Sequence, residues 1–429
     1  MTFPFHALRA ATLVALGSAL LPAHATNGYF SHGYGIKAKG MAGAGLAVAQ
    51  DAFAGANNPA QAAFAGDRLE GGVDLFMPKR EMSRSFSGAP LGTVESGKNS
   101  FLIPEFGYNK SLSKDLAVGV TVYGNGGMNS TYPGGTTDCT GFGGMAGSNA
   151  LCGMGQLGVD LTQLVVAPTI AYQFSPGQSV GVSPLLVYQQ FSAYGLQMFQ
   201  MVPGASTDPA HLTNNGHDDS TGLGIRLGYM GKLSDTVSVG ASYSPKINMS
   251  RFKDYAGLFA GQGDFDIPEN VGLGVAFQVT PSVQILADYN HIAYSKVASI
   301  GNPAGFNMGA DNGGGFGWKD VNVIKLGAQW AMNGSTTLRV GLNHGSNPVT
   351  SANITPNILA PGVMKTHLTM GGTHALSPKS AFSWSFMYAP SVSVTGPSLF
   401  NGLLSSGTAI QETVKMRQMS IGVQYGMQF

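Results

Sequence analysis

Several charged residues occur at positions where alternation along the chain places their side chains on the polar side of an extended segment. They are Arg226, Asp288, Lys325, Arg339 and His367. A guanidinium or an ammonium binds a carboxylate through charge-assisted hydrogen bonds, so Arg226, Lys325 and Arg339 are candidates for holding an acidic ligand. Lys325 and Arg339 fall on neighbouring strands of one predicted hairpin and could share that ligand. For each cation alone, pairing with Asp288, Asp51 or another acidic group of the chain is the simpler interpretation.

Apolar side chains are concentrated in two stretches that the strand pattern leaves largely as loops. These are residues 125–160 and 196–202, with Met128, Phe142, Met145, Leu151, Met154, Leu196, Met198, Phe199, Met201 and Val202. Methionine suits variable ligands because its unbranched side chain adapts to their shape. Packing within a loop explains any one of these residues more simply. As a set in weakly charged loops, they predict a groove that binds hydrophobic molecules.

The chain has two cysteines, Cys139 and Cys152, and both fall in the first of these loops. A local, even pair in an exported chain favours a disulfide. Two sulfur ligands without a partnered histidine nearby make a zinc site a poor alternative. We therefore predict a bridge that stiffens the longest loop, and no metal.

Motifs for catalysis and nucleotide binding fail on inspection. The stretch Gly92–Asn99 nearly spells a phosphate-binding loop, but Asn99 stands where Ser or Thr is needed, and a strand with Pro104 follows instead of a helix. The clusters His217–Asp219 and Asp311–Gly313 are better explained as solvated turns than as cation sites. A net charge of +1 provides no basic surface for nucleic acid. We expect no cofactor, no nucleic-acid partner and no enzymatic activity.

Period-two alternation predicts the strands that must position these residues. In Arg417–Phe429, apolar residues such as Met419 and Ile421 alternate with polar ones without a break. We predict fourteen strands, at residues 71–86, 99–110, 115–124, 161–174, 179–200, 218–232, 237–252, 265–279, 283–299, 318–331, 336–346, 364–376, 380–396 and 412–429. A soluble two-sheet sandwich shows the same local alternation, so alternation alone does not decide the fold class.

The connections between strands decide the fold class, because short and long ones alternate strictly. The short ones are residues 111–114, 175–178, 233–236, 280–282, 332–335 and 377–379, and the long ones include 125–160, 201–217, 300–317 and 347–363. An even strand number, short turns on one rim and long loops on the other are typical of outer-membrane barrels. Charged residues make up 10% of the chain, against about 25% in soluble domains. We therefore predict an all-β, transmembrane antiparallel barrel of fourteen strands.

The first 25 residues predict a secretory signal peptide rather than a part of the fold. Arg9 precedes an apolar stretch at residues 10–21, and Ala23-His24-Ala25 matches a cleavage site. The apolar stretch is too short to span a bilayer, which takes about 20 residues. We expect an exported protein whose mature chain begins at Thr26.

Residues 26–65 are rich in Gly and Ala and suit a confined space rather than a strand. Asn58, Pro59 and Ala60 form a helix start, since Asn caps a helix and Pro suits its first turn. The strand count puts both ends of the barrel, residues 66–429, on the short-turn side. We therefore predict that residues 26–65 fold as a small helical plug in the lumen.

Six features follow one another along the chain and share the order and spacing of a known family. They are the Gly/Ala-rich segment with Asn58-Pro59-Ala60, Pro104-Glu105-Phe106-Gly107-Tyr108, Phe265-Asp266-Ile267-Pro268-Glu269, Trp318-Lys319-Asp320, Leu338-Arg339-Val340-Gly341 and the terminal Phe429. Together they resemble the FadL/TodX family of outer-membrane transporters for hydrophobic compounds. The resemblance covers essentially the whole mature chain.

The resemblance implies a plug that blocks the barrel and a kink in the third strand that opens a lateral exit. Carried over, the plug turn is Asn58–Ala60 and the third strand is residues 115–124. Within it we expect the lateral opening at Gly119, with Gly124, Gly126 and Gly127 as rivals. Tyr425 and Phe429 are expected to form the signal that the barrel-assembly machinery recognises. The expected location is the bacterial outer membrane, among its lipid and lipopolysaccharide.

Three functions of different class follow from this reading. The first is passive uptake of long-chain fatty acids or related hydrophobic molecules, caught at the outer loops and released sideways, with aromatic hydrocarbons or alkanes as alternative cargo. The second is a surface receptor barrel that transports nothing. The third, a membrane-embedded lipid hydrolase, requires a serine and a histidine that face one another on the barrel wall.

Overall fold

The computed structural model describes residues 27–140, 146–403 and 409–429. The predicted signal peptide and the candidate ligand residues Phe142 and Met145 lie outside the described residues. Within them, no helix has both the length and the apolar character needed to cross a bilayer.

One antiparallel sheet contains all the strands of the described residues. The strands are β1 Arg68–Phe86, β2 Ala89–Glu95, β3 Phe101–Ser111, β4 Leu116–Tyr132, β5 Leu157–Ser175, β6 Gln178–Tyr194, β7 Asp218–Lys232, β8 Val237–Ser244, β9 Asn270–Thr280, β10 Val283–Ile292, β11 Val321–Ala331, β12 Thr336–Gly345, β13 Thr366–Ser377, β14 Ser380–Pro397 and β15 Ile410–Gln428. Neighbours along the chain pair in turn, and β1 pairs with β15 over its whole length, which closes the ring. The short β2 pairs only with the outer half of β1, so it lies outside the ring of fourteen. The predicted fourteen-stranded barrel is confirmed.

The two faces of the wall have opposite polarity, as the alternation predicts. In β15, Ile421 and Tyr425 are 48% and 50% exposed on the outer face, whereas Gln418 and Gln424 are buried on the inner face. This inverts the arrangement of a soluble protein, because the outer surface of the wall meets lipid and the lumen meets polar groups.

Strand ends on the short-turn side agree with the sequence within a few residues, whereas several of those on the loop side differ by more. The predicted strands 237–252 and 283–299 stop at Ser244 and Ile292, because the chain there folds into short helices over the barrel mouth. Conversely, β4 continues to Tyr132, so Met128 lies in a strand rather than in a loop. Pairing with β5 over Leu116–Tyr132 extends this Gly-rich segment beyond its local propensity.

The helices of the described residues are all short and belong to the N-terminal segment or to the outer loops. They span Ile36–Lys39, Pro59–Gln61, Ala62–Ala65, Gln197–Met201, Pro209–His211, Lys253–Tyr255, Ala260–Gly263, Tyr294–Lys296, Ala298–Gly301, Ser351–Asn353, Pro356–Ile358 and Leu399–Leu403. None of them is long enough to be stable alone, so their stability comes from packing against the barrel and each other.

Residues 27–66, which we call the plug, lie in the lumen. Asn58 caps the helix at Pro59–Gln61 as predicted, since its side-chain oxygen accepts the Ala60 N–H at 3.1 Å. Its amide group also donates to the carbonyls of Leu46 and Tyr229 at 2.8 and 2.9 Å, which ties the turn to β7. Gly228 permits this approach, because a Cβ there would overlap the Asn58 side chain.

Candidate functional site

An apolar pocket opens among the outer loops. Counted to its open mouth, it encloses ≈ 640 Å³ of space between atoms, part of which is open to solvent. Its walls come from several separate loops and strand ends, and they include Leu151, Phe191, Phe199, Phe259, Phe316 and Leu359. Hydrocarbon and aromatic surface dominates this lining, so the pocket suits an apolar ligand.

The predicted loop residues divide between this pocket and other places. Leu151 and Phe199 line the pocket. Met198 is buried beside it without lining it, and Met154 and Met201 are 54% and 60% exposed. Sequence reasoning missed most of the lining, because Phe191, Phe259 and Phe316 lie far apart in the chain and meet only in the folded loops.

Cys139 and Cys152 are joined by a disulfide, with their Cα atoms 5.6 Å apart. Leu151, next to Cys152, contributes to the pocket wall. The bridge therefore constrains a loop that shapes the pocket.

The wall of the barrel has a gap between β3 and β4, which we call the window. The two strands pair only from Phe106–Val122 to Ser111–Ala117. On the loop side of this stretch, β3 pairs only with β1, and residues 123–130 of β4 pair only with β5. The edge of β4 that faces β3 therefore has no partner in β3 there. Gly97 N–H donates to the Thr131 carbonyl at 2.8 Å and closes the upper end.

The irregularity in β4 lies at Asn125. Gly124 pairs with Leu164 and Gly126 with Gln163, so Asn125 is an extra residue without a partner in β5. Gly119, the sequence's first choice for the opening, pairs regularly with Asn109 and Thr169. The rivals Gly124 and Gly126 flank the bulge, which lies six residues further along β4 than Gly119.

The beginning of the plug covers the window from inside. Tyr29 and Ser31 bond to the free edge of β4: Gly127 N–H donates to the Tyr29 carbonyl at 3.2 Å, and Ser31 N–H donates to the Asn125 carbonyl at 3.3 Å. The Tyr34 hydroxyl donates to the same carbonyl at 3.0 Å. The plug thus takes the place that β3 leaves, and it satisfies backbone groups that would otherwise lack partners.

An aromatic cluster holds this part of the plug. Tyr29 packs against Tyr294 and Trp318, with ring centroids 5.2 and 6.2 Å apart. The Tyr294 hydroxyl donates to the Asn27 carbonyl at 2.6 Å and accepts the Tyr29 N–H at 3.1 Å. Trp318 also contacts Phe316, with ring centroids 6.2 Å apart, and Phe316 lines the outer pocket. The cluster therefore lies between the pocket and the window.

Ion pairs fix the plug to the inner half of the wall. Lys39 lies 3.1 Å from Asp74 and 3.2 Å from Glu105, and all three are buried. Burial lowers the pKa of Lys39, but the two carboxylates outweigh it and raise this pKa to about 12, so Lys39 is charged. Burial and the charge of Lys39 lower the pKa of His32 to about 3, so the plug histidine is neutral.

The three lumen cations do not form the arrangement that the sequence suggested. Lys325 opposes Asn343 across the hairpin, four residues from Arg339, so these two side chains do not converge on one ligand. Arg339 donates to the Thr373 hydroxyl at 2.7 Å. Lys325 and Arg226 instead line one lumen cavity of ≈ 590 Å³ counted to its mouth.

Arg226 and Asp288 contribute to holding the plug. Arg226 donates to the carbonyl of Gly55 at 2.9 Å and to that of Ala56. Asp288 accepts the N–H groups of Gly45 and Leu46 at 2.7 and 3.0 Å. The simpler interpretation is that the inward charges hold the plug. Asp288 fits it because both of its hydrogen bonds go to the plug, and Arg226 fits it in part because it also faces the lumen cavity. In the described residues, no group of three His, Cys, Asp or Glu side chains could hold a metal ion.

Comparison with known proteins identifies the fold and the family. Residues 22–429 match the sequence profile described as "Outer membrane protein transport protein (OMPP1/FadL/TodX)". The structure of the Pseudomonas putida toluene transporter TodX is similar at 18% identity, with a TM-score of 0.67 over 93% of this chain and 99% of that chain. No curated protein sequence matches the chain significantly.

Two further solved structures share the fold. The Ralstonia pickettii toluene transporter TbuX has a TM-score of 0.62 at 17% identity, over 93% of this chain and 99% of that chain. A Pseudomonas aeruginosa FadL homologue has a TM-score of 0.70 at 14% identity, over 94% of this chain and 100% of that chain. The match of the family profile over nearly the whole chain shows that this protein belongs to the OMPP1/FadL/TodX family of bacterial outer-membrane proteins, which transport hydrophobic small molecules.

Proposed function

We propose that the protein takes up hydrophobic molecules passively, by capture in the outer pocket, passage along the aromatic cluster and release into the bilayer through the window. The observation that carries the proposal is the gap between β3 and β4, which joins the lumen to the lipid phase. An apolar molecule that leaves sideways enters the hydrocarbon of the membrane and need not cross the polar inner half of the barrel.

The state of the window in the structure is closed, because Tyr29 and Ser31 of the plug bond to its β4 rim. Release therefore requires these bonds to break. Backbone hydrogen bonds contribute roughly 1 kcal/mol each in net terms, and a ligand that displaces the plug must also offset the packing of Tyr29 in the aromatic cluster. This is a population shift driven by ligand binding rather than an energy-consuming step.

Long-chain fatty acids are our first choice of cargo, and monoaromatic hydrocarbons are the second. Arg226 and Lys325 face one lumen cavity and could bind a carboxylate there. The toluene transporters TodX and TbuX share the fold, which keeps neutral aromatic cargo as the alternative.

Deleting Asn125 tests the proposal. Because Asn125 is the extra residue of the bulge, its deletion lets β4 run straight without changing its register with β5 beyond the bulge. We expect liposomes with the variant to take up labelled oleate and labelled toluene no faster than empty liposomes, while the unaltered protein takes up at least one of them.

The bulge in β14 provides a matched control. Ala389 pairs with Gln418 and Val392 with Met416, so the chain has one residue too many there as well. Deleting Ser391 should leave uptake intact, because this bulge lies on β14, which β15 and β1 separate from the window strand β3. Full uptake by the variant that lacks Asn125 would contradict lateral release. Absence of uptake by the unaltered protein would favour the receptor alternative.

We also propose that the protein is not an enzyme. A Gly-x-Ser-x-Gly sequence does occur at Gly177–Gly181, but it lies in the β5–β6 hairpin rather than in a strand-to-helix turn. The hydroxyl of its Ser179 is buried and donates to the carbonyl of Ala60 at 2.9 Å, so it supports the plug. Purified protein should therefore not hydrolyse p-nitrophenyl esters, and hydrolysis lost on Ser179→Ala would contradict this proposal.

Three further expectations remain predictions. They concern the cleavage of residues 1–25, contact with lipopolysaccharide, and recognition by the barrel-assembly machinery. For the last, the Phe429 ring stacks near Tyr108 at a centroid distance of 5.9 Å, and Tyr425 is exposed on the outer face. Replacing Phe429 with Ala should lower the amount of protein in the outer membrane, as measured in membrane fractions.

A further inference from the structure

Arg80 is a buried cation on the inner face of β1 whose hydrogen bonds are incomplete. Its side chain is among the buried groups, at 3% exposure of the residue. One terminal nitrogen, Nη1, donates to the Asn129 carbonyl. The other two nitrogens, Nε and Nη2, have no hydrogen-bond partner among the described residues. These two nitrogens form one edge of the guanidinium, which is the edge that binds a carboxylate with two parallel hydrogen bonds.

Arg84 lies four residues further along the same face of β1, and its Nη2 has an acidic partner, although its Nε lacks a hydrogen-bond partner among the described residues. Its Nη2 lies 2.5 Å from Glu412, and it also donates to the Ala150 carbonyl at 2.7 Å. No acidic side chain of the described residues lies within 4.0 Å of Arg80, by contrast. Burying a charge without a counter-ion is costly, and two nitrogens on one edge of Arg80 lack an acceptor, so this edge calls for a partner.

A cleft with apolar walls adjoins Arg80. Phe76, Met128, Trp318 and Met416 line it together with the backbone of Gly127 and Gly362, and it is open to solvent at its mouth. Three of these residues place it at the window and the aromatic cluster: Met128 and Gly127 lie on the β4 rim, and Trp318 belongs to the cluster.

Arg80 itself spans the inner side of the window. Its guanidinium lies over the ring of Phe101, at 5.5 Å from the centroid, and Phe101 is the first residue of β3. Its bond to Asn129 reaches the opposite rim on β4. A molecule that passes through the upper part of the window therefore meets this cation.

We propose that Arg80 binds the anionic head of an acidic cargo in this cleft, with the hydrocarbon part of the cargo against Trp318, Met128 and Met416. The inference rests on the proposed function and narrows it: hydrophobic carboxylic acids, rather than neutral hydrocarbons, are the preferred cargo. A carboxylate supplies the two acceptors that Nε and Nη2 lack, and the apolar walls take the chain behind it. The binding group lies at the lateral exit, on a different strand from the lumen cations Arg226 and Lys325.

Quenching of Trp318 fluorescence reports on this cleft directly. The chain has three tryptophans, and the other two, Trp330 and Trp384, belong to outward-facing positions of β11 and β14. In a Trp330→Phe/Trp384→Phe background, Trp318 is the remaining fluorophore. We would titrate the purified barrel in a neutral detergent at pH 8 with 9,10-dibromostearic acid, and in parallel with the corresponding dibromo alcohol.

We expect the acid to quench Trp318 at about tenfold lower concentration than the alcohol, since hydrogen bonds to charged groups are the stronger ones. Arg80→Gln should raise the concentration of acid needed by about tenfold and change that of the alcohol by less than about twofold. Arg80→Lys should give an intermediate value, because it keeps the charge without the two-nitrogen edge. Lys79→Gln, which removes a cation from the outer face of the same strand, should match the background protein.

Equal quenching by acid and alcohol in the background protein would overturn the inference and leave the proposed function standing. An equal loss of affinity for both probes in Arg80→Gln would also overturn the inference, because it would mark Arg80 as a structural residue only. If neither probe quenches Trp318, the proposed route through the window fails as well. Heat-modifiable migration in gels verifies that each variant folds. If Arg80→Gln does not fold, the inference is tested by Arg80→Lys and by the comparison of the acid with the alcohol in the background protein.

Discussion

The outer and inner halves of the lumen differ in chemistry. The outer half has an apolar pocket lined by residues such as Phe199, Phe259 and Phe316. The inner half is filled by the plug, which buried ion pairs such as Lys39 with Asp74 and Glu105 fix to the wall. A hydrophobic molecule gains free energy in the first region and would have to displace buried charges in the second.

This difference favours the sideways exit that we propose. The window lies between the two regions, where β3 leaves β4 and the plug begins. A cargo from the outer pocket can reach it without entering the charged region. In the proposed function, the inner half seals the membrane against polar solutes, while the outer half provides affinity.

The largest effect is expected from removing the ion pairs that fix the plug in the inner half of the lumen. Lys39→Met leaves Asp74 and Glu105 buried without their counter-ion, which costs about 3–5 kcal/mol and loosens the plug. We expect the variant to conduct ions continuously in planar bilayers, where the unaltered protein is closed. Lys79→Met, which removes an exposed lysine paired with Glu95, serves as the control. A closed Lys39→Met channel would show that the ion pairs do not seal the lumen.

The second largest effect is expected from a charge placed in the outer pocket. Leu258 lines the pocket and is partly buried, so Leu258→Asp should weaken binding of a hydrophobic ligand by about tenfold or more without opening an ion path. Met201→Asp is the matched control, because Met201 is 60% exposed and lies outside the pocket. Isothermal titration measures both. Equal losses in the two variants would contradict the assignment of the pocket.

A smaller effect is expected from the disulfide. Reducing the bridge, or replacing both Cys139 and Cys152 with Ser, frees a loop whose closure contributes about 3 kcal/mol in the chain-entropy picture. We expect protease cleavage between residues 133 and 156 and a loss of ligand affinity of about fivefold, while the barrel still migrates as folded. An unchanged affinity would mean that the loop keeps the shape of the pocket without its bridge.

The smallest effect is expected at Arg339. It bonds to Thr373 on the neighbouring strand and is absent from the lining of the cavity that Arg226 and Lys325 share. Arg339→Met should therefore change fatty-acid affinity by less than about twofold, as measured by equilibrium dialysis. A loss of tenfold would restore Arg339 as a ligand residue and favour the pairing that the sequence suggested.

The sequence predicts the barrel well because its signals are local. Alternation with period two and the sorting of short turns are properties of adjacent residues, and they give the strands, their faces and the even strand number. The cap at Asn58 and the pair Cys139–Cys152 are local too, and both appear in the structure.

The window and the pocket could not be predicted in the same way, because they depend on residues that are distant in the chain. Gly119 and Gly126 are both strand glycines, and only the pairing with β5 and the contact with Tyr29 distinguish them. Phe191, in β6, and Phe316, in an outer loop, line one pocket although they are distant in the chain. Arg80 had a local signal, since it shares the inward phase of β1 with Phe76 and Met82, but its missing partner is visible only in three dimensions.

Photo-crosslinking of a cargo during passage tests lateral release most directly. A fatty acid with a diazirine at the chain end would be given to cells that carry the protein, illuminated, and its adducts mapped by mass spectrometry. Lateral release predicts adducts on the window rim, at Met128 and Asn129 of β4. Adducts concentrated at the inner mouth, on Lys37, Arg68 and Gln428, would show passage along the barrel axis and contradict it.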